Sequence, residues 1–131
     1  MTGYAQGIAS AKSTTMLADF KPKAIAWQRM AVKPSMPAEA HVHQVLAVYA
    51  YKNKDIPKAI TEYEAALSIF PYWPDGQSNL ANLAAEVGTR PGYRMAVDHM
   101  QMYLDLVPDA PDAQAAQDSI IIWNEKLREL H

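Results

Sequence analysis

The stretch that decides the fold is Asp55–Pro74, DIPKAITEYEAALSIFPYWP. Ala59, Tyr63, Ala66 and Phe70 recur at steps of four, three and four, so a 3.6-residue helix stacks them on one face. Ile60 and Leu67 widen that stripe. Asp55 is placed to cap the helix, and Pro57 falls in the first turn, where a missing N–H costs nothing. Pro71 ends the helix by pushing residue 70 out of the α region.

Working outward, the same punctuation recurs. P-x-x-P stands at Pro34/Pro37, Pro71/Pro74 and Pro108/Pro111, at intervals of 37 residues. The helix before the second pair repeats before the third: Ala59, Ile60, Tyr63, Ala66 and Leu67 match Ala96, Val97, Met100, Tyr103 and Leu104. Between these copies lie two further helical patterns, 38–52 and 75–87. There Leu46, Ala47 and Ala50 match Leu80, Ala81 and Ala84 at an interval of 34. The two periods reconcile if three extra residues sit at PSM (34–36) and three in the breaker GTRPG (88–92), since loops absorb insertions cheaply.

The remaining helices read as follows. Phe20, Ala24, Trp27 and Ala31 share an apolar helical pattern, and Pro22 within it either kinks one helix or begins a shorter one over about 22–33; a helix solid from Pro22 onward is the favoured expectation. In 38–52 the expected inward stripe is Val42, Val45, Leu46, Tyr49 and Ala50. In 75–87 it is Leu80, Ala81, Leu83, Ala84 and Val87. Residues 93–107 and 112–130 complete the set, the last with Ala116, Ile120, Trp123, Leu127 and Leu130 inward. No stretch alternates like a strand bounded by hairpin turns. Residues 1–14, small and polar, are expected to be a flexible N-terminus, and 15–131 a single all-α domain.

This pattern resembles the tetratricopeptide repeat family. Leu46, Ala47, Ala59, Tyr63, Ala66 and Pro71 stand where that family's 34-residue helix-turn-helix carries its small, aromatic and proline residues. Residues 40–73 and 74–110 make two repeats, with Met100 and Tyr103 departing from the usual residue types. The resemblance implies a right-handed superhelical stack of hairpins. Residues 22–34 would be an orphan second helix, and 112–130 a terminal helix.

Composition excludes several functions. There is no cysteine, hence no disulfide and no thiolate metal site. A net charge of −2 does not point to nucleic acid. No apolar run is long enough to span a bilayer, and the N-terminus does not read as a signal peptide, so a cytoplasmic location is expected. Charge is uneven: residues 1–58 hold eight Lys/Arg and three Asp/Glu, a net of +5, and residues 59–131 hold four and eleven, a net of −7. That asymmetry reads either as unequal solvated faces or as a dipolar module that stacks head to tail. His41 and His43 diverge on a helix and cannot share a metal. No phosphate loop, nucleophile elbow or dinucleotide fingerprint occurs. No catalytic residue, metal site or cofactor is therefore expected.

The resemblance implies a concave groove lined by the first helix of each repeat. Its outward positions here are Gln44, Val48, Tyr51 and Lys52, then Ser78, Asn79, Asn82 and Glu86. The leading expectation is a non-catalytic adaptor holding a peptide or protein partner in that groove. A second is self-assembly, because Ile120–Trp123 puts four large apolar residues in succession, with Ile121, Ile122 and Trp123 the surface expected to meet another chain. A third is a helper domain of a larger enzyme.

Overall fold

The computed structural model describes residues 19–130; the expectation about residues 1–14 lies outside them. All regular structure among the described residues is helical. Residues 19–28 form α1. It is followed by α2 (Ala38–Lys52), α3 (Ile56–Ile69), α4 (Pro74–Val87), α5 (Arg90–Leu106) and α6 (Ala113–Glu129). From α2 onward each helix packs on the next, most extensively within the pairs α2–α3 and α4–α5. The result is a helical-repeat architecture with one main core running through α2–α6 and a smaller cluster where α1 meets α5. Leu67, Leu80 and Ala81 are sealed at the centre of the main core, and small residues at Ala47, Ala59, Ala84 and Ala96 bring the helices close.

The repeat is written into the backbone. The turn after each first helix holds one left-handed residue: Lys54 at φ 61° and Gly88 at φ 76°, 34 residues apart. The next residue caps the second helix in both hairpins. Asp55 accepts from the Lys58 N–H and Thr89 from the Gly92 N–H, each at 3.2 Å. Pro57 and Pro91 follow in the first turns. At the other end the period is 37: Phe70 (φ −139°, ψ 83°) and Val107 (φ −134°, ψ 68°) terminate α3 and α5 in nearly the same extended conformation.

The turn therefore keeps a period of 34, and the extra three residues lie inside α5, which has 17 residues against 14 in α3. This corrects the placement of the insertion in GTRPG. Three residues are nearly one helical turn, so the insertion rotates the buried face by only about 60°. Gly92 makes the longer helix fit, since a Cβ there would lie 2.5 Å from the Ala84 carbonyl oxygen.

Two further expectations are corrected. On α2 the buried residues are Ala40, Ala47 and Ala50, with Leu46 half-buried, whereas Val42, Val45 and Tyr49 are 54%, 51% and 60% exposed. The helix is apolar on two opposite faces, and the small-residue face won the core because hairpin partners approach closely there. The helix α1 runs through Pro22 and stops at residue 28, leaving Ala31 exposed. It does not precede α2 in the stack. Phe20 and Ala24 instead pack with Met102 and Leu106 of α5, Phe20 stacks on Tyr72 at 6.0 Å, and Gln28 donates to the Asp105 carbonyl. The first described helix of the basic half thus lies against α5, in the acidic half of the chain.

Candidate functional site: a polar groove between the first helices

On α2, Gln44, Val48 and Tyr51 fall at steps of four and three, beside the buried alanine face rather than opposite it. On α4, Asn79, Asn82 and Glu86 make the matching row. The hairpin turns hold both rows in place, because α2 is locked to α3 and α4 to α5. A bond between His43 Nδ1 and Glu62 Oε1 at 2.6 Å ties α2 to α3.

Four of the eight expected groove residues, Tyr51, Asn79, Asn82 and Glu86, meet at one pocket of about 360 Å³, completed by Tyr63 and Leu83. The Asn79 amide donates to the Tyr63 hydroxyl at 3.4 Å, and burial raises the Tyr63 pKa above its ordinary value. Tyr51 is half exposed, and Asn82 and Glu86 are exposed. Glu86 makes no ion pair among the described residues. The pocket thus offers a carboxylate, two amides and two phenol rings, a set able to grip backbone amides and a partner side chain together.

The other four do not line this pocket. Val48 and Lys52 are exposed along α2, Gln44 lies within 3.3 Å of His41 Nδ1, and the Ser78 hydroxyl donates to the Asp75 carbonyl of its own helix. Tyr63 and Leu83 were expected only in the core. Tyr63 is a core residue whose hydroxyl end reaches the pocket, which the 3.6-residue period cannot show.

The expected self-association surface divides. Ile121 and Ile122 are 63% and 55% exposed. Trp123 is 9% exposed and belongs to the core, so it is removed from that surface. Consecutive helical residues point about 100° apart, so four large residues in a row cannot share one face, and the largest took the α5 side. Trp73 anchors the α3–α4 loop: its ring lies 5.7 Å from Tyr63 and over Gly76.

Among the described residues no group of three His, Asp or Glu side chains is arranged to hold a metal, and no helix is long and apolar enough to cross a membrane. No protein-family model and no curated protein matches the chain.

Proposed function

We propose that the chain is a non-catalytic adaptor of tetratricopeptide type, which holds an extended peptide or partner helix in the groove between α2 and α4. The observation that carries this reading is the convergence of Tyr51, Asn79, Asn82 and Glu86 on one pocket. Such convergence gives a ligand several polar contacts on rigid helices, so little ordering cost is incurred on binding. The 34-residue recurrence of turn and cap supports the repeat class, and a stack of such hairpins is expected to wind right-handed.

The test is selection of peptides from a display library on the wild-type chain, followed by binding of the selected peptides to Asn82→Arg. Asn82 is exposed, so the substitution leaves the fold intact while filling the groove. The reading predicts a loss of at least about tenfold in affinity, the size expected for a well-packed interface position. Unchanged affinity would place the partner elsewhere.

A second reading, self-association, is supported by the outward apolar row Val42, Val45 and Tyr49 at one end of the stack and Ile121 and Ile122 at the other. Light scattering on the wild type and on Val45→Glu with Ile122→Glu tests it; a monomer throughout the concentration range removes it.

A further inference from the structure

A second concavity lies away from the groove. An open cleft of about 720 Å³ separates the end of α1 from the α5–α6 turn, with Trp27, Tyr103 and the prolines 74, 108 and 111 in its lining. Its charged residues are Asp75, which opens α4, Asp109 in the turn before α6, and Lys33. Asp75 and Asp109 make no ion pair among the described residues. Asp112, beside the cleft, is engaged by the Tyr103 hydroxyl at 2.6 Å.

A cation already sits here. Lys33 Nζ is 4.9 Å from the Trp27 ring centroid and donates to the carbonyls of Met30 (2.7 Å) and Gln28 (3.2 Å). Part of this is helix termination: a lysine near the last carbonyls of α1 is favoured there whatever the cleft does. Termination does not require an aromatic face under the ammonium or unpaired carboxylates across the cleft. An indole is the best of the aromatic faces for a cation, and the two carboxylates outnumber the single ammonium.

We propose that this cleft is a second recognition site, which takes an arginine or lysine side chain of a partner peptide on the Trp27 ring, with Lys33 as the intramolecular placeholder it displaces. The lining prolines and Tyr103 give an extended peptide an apolar wall. Asp75 and Asp109 supply the opposite charge at the rim. This site is independent of the groove between α2 and α4, since none of its residues is shared with that pocket.

The experiment is a titration of the full chain with Nα-acetyl-L-arginine amide, read at the Trp27 indole N–H resonance, which Trp27→Phe identifies. The proposal predicts a saturable shift. Lys33→Ala should tighten binding about two- to fivefold by freeing the ring. Asp75→Asn with Asp109→Asn should weaken it about threefold or more. Asn82→Arg should leave it unchanged, so failure here is distinguishable from failure of the groove. A non-saturating response, equal affinity in all variants, or an equal shift with Nα-acetyl-L-glutamate amide would each overturn the assignment. All three charged positions are exposed, so these variants keep the fold.

Discussion

Gln77 Oε1 lies 2.7 Å from His99 Nδ1, fully enclosed between α4 and α5. The Gln77 amide nitrogen donates to the Pro71 carbonyl at 2.9 Å, which leaves its oxygen to accept from the Nδ1–H of a neutral imidazole. One side chain thus joins the proline that ends α3 to the middle of α5. Gln77→Leu removes both of these bonds. The expected cost is about 1–3 kcal/mol, from the enclosed imidazole and the half-buried Pro71 carbonyl each losing one bond, measured by the urea midpoint.

Protonation gives a second check. Burial holds His99 down to about 4 from 6.5, so it is neutral in the fold. The unfolded chain takes up this proton below pH 6.5 and the folded chain does not until about 4. Stability from this group is therefore full above pH 6.5 and lost as pH falls towards 4. Its neighbour Asp98 works the other way. Burial raises it from 3.8 to about 6, with Arg94 opposing, and one of its carboxyl oxygens is buried without a hydrogen-bond partner. Its contribution is full below 3.8 and lost as pH rises through about 6. Relative to wild type, Asp98→Asn should lose stability more steeply between pH 6.5 and 4, and His99→Asn should gain on acidification. Thermal melts across that range decide it; parallel curves for all three proteins would contradict the assignment.

Lys54 and Gly88 hold the same left-handed position in successive repeats, but only one is a glycine. Lys54→Gly should therefore stabilise the chain by about 0.5–1 kcal/mol by relieving the Cβ clash of a left-handed residue. Gly92→Ala should do the opposite, despite alanine's better helix propensity, because the Ala84 carbonyl stands 2.5 Å from the new Cβ. The expected loss is about 1–3 kcal/mol. A melting temperature at or above wild type for Gly92→Ala would show that α4 and α5 can separate freely.

On α6, neighbouring residues should differ sharply. Trp123→Ala removes a core side chain and should cost about 3–5 kcal/mol. Ile122→Ser, on an exposed position, should stay within about 0.5 kcal/mol. Denaturant titration of the pair separates the core face of α6 from its outward face.

Much of this architecture was legible in the residues. Helix α2 runs over the expected 38–52, and the α3 face of Ala59, Tyr63, Ala66 and Leu67 is buried. Prolines and repeated small residues are local signals, and local signals survive tertiary packing. The outward valines of α2 were not legible, because periodicity finds an apolar face without saying which of two faces is covered. The docking of α1 on α5 depends on contacts such as Gln28 to Asp105, 77 residues apart, and no period encodes those. The extra turn of α5 escaped because a helix that gains nearly a full turn keeps its pattern. Of the groove, Tyr51, Asn79, Asn82 and Glu86, which line the pocket, were among the positions that the family resemblance implies. Tyr63 was not, since a residue can be buried by its ring and still present its hydroxyl.

The groove between α2 and α4 is the proposed partner site. The most direct measurement is an amide and side-chain chemical-shift map of the chain with a display-selected peptide. The largest changes are expected on Tyr51, Asn79, Asn82 and Glu86. Changes centred on Val42, Val45 and Tyr49 or on Ile121 and Ile122, with the groove silent, would contradict it.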